Sequence, residues 1–187
     1  MRRRPRLWMA ATSFSVLSAA FVTTALRAEI TGASESRVAF DAAGPAGFKI
    51  EGTTPDLTIS ETNGNVLITV GLAKLTTGIE LRDHHMREKY LEVGKFPTTV
   101  LSVARSALKL PGVGAQIDAD VPGQLTLHGQ TRAVTVHYSA KGDGATFPTQ
   151  GRFRINMNDF GIIVPSYLGV TVKPDIDVNA SFRVAGS

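Results

Sequence analysis

The sequence of 187 residues contains 20 lysines and arginines, 16 aspartates and glutamates and no cysteine, and its formal net charge at pH 7 is +4. A chain of this length supports one domain. The absence of cysteine excludes a disulfide framework, thiol catalysis and a lipid-modified cysteine anchor.

The first 28 residues have the layout of an export signal. Four arginines among the first six residues precede a run of twenty uncharged residues, 7–26, and small residues near Ala25 and Ala28 close it. Two alternatives stay open: a buried helix of the fold, and an uncleaved anchor long enough to span a bilayer. Removal of residues 1–28 takes away five of the 20 basic residues and none of the 16 acidic ones, which leaves a net charge of about −1. We therefore expect no nucleic-acid partner for the domain at 29–187.

The chain after the signal is predicted to start with short strands separated by turns. Apolar and polar residues alternate at 37–41 and 48–52, as they do in half-buried strands. The segments 57–61 and 66–73 flank Asn63-Gly64, which is a strong signal for a two-residue hairpin turn. The sequence thus predicts four strands before residue 74.

A charged, helix-favouring segment at 80–97 then interrupts the strands. Asp83 is predicted to cap a short helix, and Phe96-Pro97 to end it, because the residue before a proline avoids helical backbone angles. Arg82 and Asp83 have two interpretations: an ion pair that fixes the helix to the sheet, which we favour, or a contact with a ligand head group. The segment must cross from one part of a sheet to another.

The second half of the chain again alternates with a period of two. We expect no regular strand through 108–119, which contains two glycines and a proline, except at its ends. The absence of a βαβ rhythm predicts one antiparallel sheet of about eight strands with one short helix. Its apolar faces can be hidden in a sandwich or in a barrel, and the pattern alone does not decide between them. The predicted strands of this half are 98–103, 124–128, 133–140, 152–157 and 176–184.

The histidines do not predict a metal or catalytic site. Adjacent His84 and His85 would point about 100° apart on a helix, and His84 with Glu88 supplies only two ligands. His128 and His137 are predicted to lie exposed on outward strand faces. The sequence contains no G-x-S-x-G, no H-E-x-x-H and no glycine-rich phosphate loop. We expect no catalytic residue, no metal and no cofactor.

Three motifs resemble those of a known family. R-D-H-H-M-R-E-K-Y-L-E-V-G-K-F-P at 82–97, followed by T-T-V-L-S-V, is similar to the signature of the YceI-like family of periplasmic lipid-binding proteins. G-Q-L-T-L-H-G-Q-T-R-A-V-T-V at 123–136 resembles a hairpin of that family, and 158–161 resembles its D-F-G step. The resemblance covers about 35–185. It implies a single all-β, antiparallel, lipocalin-like barrel, a fold whose lumen has room for one small ligand.

The resemblance implies an exported, periplasmic and non-enzymatic carrier or scavenger of an apolar lipid: a polyisoprenoid, a quinone-like lipid or a fatty acyl amide. Two alternatives stay open: a solid-core interaction domain that serves a membrane electron-transfer partner, and an enzyme acting on an isoprenoid through His84 or His85. Transient membrane contact and a homodimer are further partner hypotheses. The predicted ligand-binding residues are Ile50, Val66, Ile68, Val70, Phe96, Leu101, Val103, Leu125, Leu127, Val134, Val136, Tyr138, Phe153, Ile155, Ile176, Val178 and Phe182.

Overall fold

The computed structural model describes residues 30–144, 146–167 and 170–185. The predicted export signal at 1–28 lies outside these residues. In the segments that are described, none of the helices has the length and the apolar composition needed to cross a membrane.

The described residues form one antiparallel sheet of nine strands and a separate pair of short strands. The strands are β1 (Thr31–Ala43), β2 (Lys49–Thr54), β3 (Leu57–Thr62), β4 (Asn65–Gly71), β5 (Thr98–Ala104), β6 (Gln116–Leu127), β7 (Gln130–Lys141), β8 (Thr146–Asn156), β9 (Ser166–Tyr167), β10 (Val170–Thr171) and β11 (Asp175–Ala185). The order of strands in the main sheet is β2-β1-β11-β8-β7-β6-β5-β4-β3, and β9 pairs with β10. The prediction of an antiparallel all-β chain is confirmed, and each of the nine strands overlaps a segment predicted as a strand, although the expected number was about eight.

Strand β6 begins eight residues earlier than the sequence predicted, at Gln116 instead of Gln124. Pro122 and Gly123 obscure the pattern, but the residues before them still alternate: Val121 is buried, whereas Asp118 and Asp120 are exposed. The proline is accommodated because β6 pairs with β5 only from Gly123 onward, so that one side of the earlier part of β6 has no strand to bond.

Two-residue turns set the register of two hairpins. Asn63 and Gly64 connect β3 to β4, and their φ angles are both positive, 52° and 73°. His128 and Gly129 connect β6 to β7 with φ of 49° and 72°. Positive φ at both central residues gives the turn the twist that matches its flanking strands. The Asn63-Gly64 hairpin was predicted, whereas the second turn includes His128, the last residue of the predicted strand 124–128.

The two edge strands of the sheet, β2 and β3, are consecutive in the chain. Pro55 and Asp56 alone separate them, and the Asp56 carbonyl accepts the N–H of Gly71 at 2.9 Å. Strand β2 pairs with β1, whereas β3 pairs with β4 and also lies against β1. Thr53 in β2 forms a bridge with Thr76, which follows β4. The first and last strands of the sheet order are therefore adjacent in space.

One end of the sheet, which we name the closed end, is covered by the crossing segment. Helix α1 (Glu80–His85) continues into a π-helical turn, Met86–Tyr90, and a 3-10 turn, Met157–Phe160, lies at the same end. Apolar residues from these segments and their loops pack with inward residues of the strands in one large cluster, which extends along the sheet as far as Leu108 and Tyr138. Leu72, Met86, Tyr90, Phe160 and Ile162 belong to or contact that cluster.

The other end, which we name the open end, is formed by loops. The β3–β4 hairpin, the loop at 105–115 and the β7–β8 turn meet there, because strands β5, β7 and β11 all finish at that end. A second, smaller apolar cluster lies beneath these loops and includes Ile30, Ile59, Phe182 and Val184.

Asp83 does not cap α1 as predicted. The N-cap position is Ile79, and Asp83 lies inside the helix with only 5% of its surface exposed. Its carboxylate instead accepts hydrogen bonds from the hydroxyl of Thr76 and from both the hydroxyl and the backbone N–H of Thr77. Asp83 thus holds the loop that precedes the helix. Arg82 forms no ion pair with Asp83 and instead donates to the hydroxyl and carbonyl oxygens of Thr77.

Candidate ligand-binding cavity

The inward faces of the strands surround an apolar cavity of about 170 Å³. Every strand of the main sheet except β2 contributes side chains to it. The period-two alternation produces this lining, because each strand directs Val, Leu, Ile or Phe to one face and polar residues to the other. The exposed surface of the lining consists almost entirely of apolar atoms.

The cavity opens at the open end. Lys109 and Leu110 belong to its lining and are exposed, whereas the other lining residues are buried or half-buried. Tyr138 fixes the loop at this mouth, since its hydroxyl accepts the N–H of Lys109 at 2.9 Å and donates to the carbonyl of Lys109 at 3.3 Å. At the loop's base, the buried Arg105 guanidinium lies 3.5 Å from the Glu61 carboxylate. The mouth loop is thus anchored on both sides.

Four of the predicted ligand-binding residues lie away from the cavity. Ile50, Val134 and Ile176 pack in or against the large apolar cluster without bordering the cavity, and Phe96 contacts the ring of His128 at the closed end. The period-two alternation places a residue on the inner face of the sheet. It does not specify which positions along the strand border the cavity and which are covered by other side chains. The other predicted residues line the cavity. Whether any of them contacts a lipid stays a prediction.

Several residues that line the cavity were not predicted from the sequence. Leu108 and Leu110 belong to a loop in which no strand pattern pointed inward, and Ile30 comes immediately before the first strand. Gly151 lies in β8 between Thr149 and Phe153, which also line the cavity. The period of two places Gly151 on the inner face, but glycine has no apolar side chain that would mark it in the sequence as a lining residue. These residues enlarge the predicted site toward the mouth.

The prediction that His128 is exposed is wrong. Only 12% of its side chain is exposed, and its ring is tilted against that of Phe96 with the centroids 4.6 Å apart. Nδ1 lies 3.1 Å from the carbonyl oxygen of Phe160, and Nε2 lies 3.0 Å from a carboxylate oxygen of Glu92. A carbonyl only accepts, so Nδ1 donates to it. His128 therefore joins the β6–β7 hairpin to the crossing segment and to the 3-10 turn.

The charge of Glu92 supports this junction. Hydrogen bonds from Lys95 and then from His128 lower the pKa of Glu92, and they outweigh the effect of burial, which acts in the opposite direction. Glu92 is therefore ionised at neutral pH, and it lies between Lys95 and His128.

The remaining histidines do not lie in the cavity. His84 and His85 are exposed at the closed end, with their rings 6.1 Å apart. His137 is on the outer face of β7 as predicted, but it is only half-exposed because Asp118 and Asp120 contact its two ring nitrogens at 3.1 and 2.8 Å. No three His, Asp or Glu side chains in the described ranges are grouped so that they could hold a metal ion.

The sequence at 18–184 matches the YceI-like domain. The chain belongs to the YceI-like family.

Curated relatives of this YceI-like chain occur in Pseudomonas. A UPF0312 protein of Pseudomonas savastanoi pv. phaseolicola is 34% identical over 113 residues, which are 56% of this chain and 55% of the relative. A UPF0312 protein of Pseudomonas fluorescens is 32% identical over 138 residues, which are 68% of this chain and 60% of the relative. The chain thus spans little more than half the length of these curated relatives.

Solved structures share the fold of this YceI-like chain. A polyisoprenoid binding domain from Saccharophagus degradans, implicated in plant cell wall breakdown, has a TM-score of 0.70 at 16% identity, covering 84% of this chain and 98% of that one. Burkholderia cenocepacia BcnA has a TM-score of 0.61 at 16% identity, covering 81% of this chain and 96% of that one. At these identities the likeness shows the fold alone.

The three motifs that carry the YceI-like resemblance meet at the closed end, and the second of them also contributes Leu125, Leu127 and Val136 to the cavity lining. Glu92 and Phe96 come from the first motif, His128 and Gly129 from the second, and Phe160 from the third. Gly129 is required by close approach as well as by its positive φ, because an added Cβ would lie 2.8 Å from the Phe96 ring. The motifs therefore contribute both to the cover of this end and to the lining of the cavity.

Replacing His128 with Asn is expected to lower the melting temperature by about 4–10 °C, because the hydrogen bonds to Phe160 and Glu92 and the contact with Phe96 are lost together. Asn tolerates the left-handed backbone that His128 adopts, so the turn itself is retained. His137→Asn on the outer face is the matched control and is expected to change the melting temperature much less. Equal losses in the two variants, measured by thermal unfolding, would contradict the role of His128.

Proposed function

We propose that this chain is an exported binding protein that holds one long apolar lipid chain in its cavity. The observation that carries the proposal is the lining: an almost entirely apolar space surrounded by eight strands, with exposed Lys109 and Leu110 at one mouth. A polyisoprenoid, a quinone-like lipid and a fatty acyl amide share the required chemistry. The periplasmic location is proposed from the export signal predicted at 1–28.

We further propose that the sheet is closed into a barrel. Four observations support closure: the continuity of β2 and β3, the hydrogen bond from Gly71 to Asp56, the bridge between Thr53 and Thr76, and the packing of β1 against β3. Strand β2, at one edge of the sheet, pairs with β1 and continues through Pro55 and Asp56 into β3, at the other edge. A closed arrangement leaves no free edge that could pair with another chain.

Apolar burial is the source of affinity in the proposed complex. Each buried methylene contributes about 0.8 kcal/mol, so the roughly ten carbons that the cavity holds gain about 8 kcal/mol, to be set against association costs of roughly 4–15 kcal/mol. The cavity of 170 Å³ has room for about ten water-sized groups. A chain of twenty carbons therefore fills the cavity and continues through the mouth.

The lining supports binding instead of catalysis. Of the side chains that surround the cavity in the described structure, only Lys109 and Tyr138 are titratable, and neither has a carboxylate or imidazole partner there. A general acid or base must lie within hydrogen-bonding reach of the reacting group. His84 and His85, the candidates for an isoprenoid-modifying enzyme, are exposed at the opposite end.

Extraction of the purified protein with organic solvent, followed by mass spectrometry, tests the proposal. We expect close to one lipid molecule per protein after expression in a host whose membranes contain isoprenoid lipids and quinones. An unrelated exported β-protein, purified in parallel, controls for carry-over of membrane lipid. Recovery of no lipid above that control would favour a solid-core interaction domain instead.

A further inference from the structure

Exposed apolar side chains surround the mouth of the cavity. Leu110 lines the cavity and is also 36% exposed, and Val113, in the same loop, is 83% exposed. The loop is held in position at its far side, because the N–H of Gly114 donates to the Gly142 carbonyl at 2.8 Å and the N–H of Gly142 donates to the Ala115 carbonyl at 2.9 Å. An apolar surface thus continues from inside the cavity to the outer tip of the loop.

The charges around the mouth favour an anionic partner. Lys109 precedes Leu110, and Lys141 precedes Gly142, so both lie beside the loop. Both are exposed, and neither forms an ion pair with any described residue. The carboxylates toward this end have partners: Glu61 contacts Arg105, Glu35 and Asp143 share Arg183, and Asp118 and Asp120 contact His137. Lys109 and Lys141 therefore lie at the mouth without an ion-pair partner among the described residues, and both are positive.

We propose that this mouth surface, formed by Lys109, Leu110, Val113 and Lys141, docks on an anionic lipid bilayer. The inference rests on the proposed function and supplies the path by which a lipid enters and leaves the cavity. Leu110 and Val113 leave water when they enter the bilayer, and each lysine beside an anionic surface strengthens binding about fivefold. Because Leu110 belongs to both surfaces, a lipid chain moves between the bilayer and the cavity along continuous apolar contacts.

A single engineered cysteine can locate the docking surface, since the chain contains none of its own. In the full chain, Val113→Cys carries an environment-sensitive nitrobenzoxadiazole label. Leu81→Cys is the matched control, because Leu81 is apolar and 67% exposed but lies at the closed end. If another segment attached the protein to the membrane, both labels would lie near the bilayer but neither would enter it. If the mouth surface docks, only the label at position 113 enters the bilayer. Each protein is titrated with vesicles of phosphatidylcholine alone or mixed with phosphatidylglycerol.

We expect the label at position 113 to brighten and shift to the blue with the mixed vesicles, and the label at position 81 to stay unchanged. Lys141→Gln, added to Val113→Cys, is expected to weaken the response about fivefold. Equal responses at the two positions, a response at position 81 alone, no response, or no dependence on phosphatidylglycerol would each overturn the proposal.

Lipid extracted from the same labelled preparations separates this inference from the proposed function. A protein that contains lipid but shows no response at position 113 retains the proposed function and loses the docking surface. A protein that responds at position 113 but contains no lipid has the docking surface without the proposed cargo.

Discussion

Replacing Gly151 with Leu is expected to reduce the amount of bound lipid at least tenfold without unfolding the protein. Gly151 is in the lining, and an added Cβ would meet only the Val136 side chain, at an ordinary contact distance of 3.7 Å. The four carbons of the new side chain would occupy a large share of a cavity with room for about ten water-sized groups. Lipid per mole of protein, measured after solvent extraction, gives the result.

The neighbouring residue provides the control for this variant. Gln150 is exposed on the outer face of the same strand, so Gln150→Leu adds a similar side chain outside the cavity and should leave the lipid content unchanged. Gly123 is not a suitable site, because a Cβ there would lie 2.9 Å from Leu101 and 3.3 Å from a backbone carbonyl. Equal lipid content in the Gly151 and Gln150 variants would place the lipid outside the cavity.

A charge in the cavity is a second way to exclude the lipid. Val136 is 6% exposed, and Val136→Glu would leave an unpaired carboxyl group among apolar side chains, which is costly in either protonation state. A folded variant is expected to retain less lipid than the wild type. Unchanged lipid content in the folded variant would count against this lining.

The strand pattern predicted the inner face better than it predicted the cavity. Val66, Leu101, Leu125 and Val136 follow a period of two, and such residues must share a face of the sheet. Ile176 follows the same period but pairs with Ala42, next to the closed end, and does not border the cavity. The segments that cover the ends of the sheet decide which inward positions border empty space. The local sequence pattern does not specify how far along each strand this space extends.

The closed end could not be predicted from local sequence because its contacts join distant residues. Glu92 meets His128 across 36 positions, and His128 meets Phe160 across 32. Within its own segment, Glu92 is interpreted as a surface charge, His128 as an exposed histidine and Phe160 as part of a bend. Only the folded chain brings the three motifs together, which is why their resemblance to a family was informative while their individual roles were not.

Replacing Asp83 with Ala is expected to lower the free energy of unfolding by about 3 kcal/mol at neutral pH, and the melting temperature by about 6–12 °C. The change leaves the hydroxyls of Thr76 and Thr77 and one backbone N–H without the buried carboxylate that accepts them. Glu88→Gln removes an exposed carboxylate from the same segment and should change the melting temperature by little. A loss as small as that of Glu88→Gln would show that the loop before α1 does not depend on Asp83.

The pH dependence of the Asp83 contribution gives a sharper test. Burial alone would raise the pKa of Asp83, but the hydrogen bonds from Thr76 and Thr77 and the charge of Arg87 outweigh it, so the pKa lies below its ordinary value. A carboxylate with a lowered pKa stabilises the fold fully above its unfolded-state pKa, near 3.9, and loses that effect as the pH falls through the folded-state pKa. The stability difference between wild type and Asp83→Asn, which cannot ionise, should therefore be constant from pH 7 to about pH 5 and should shrink below about pH 4. A difference that stays the same down to pH 3 in denaturant titrations would mean that the hydrogen bonds, and not the ionised form of Asp83, hold the closed end.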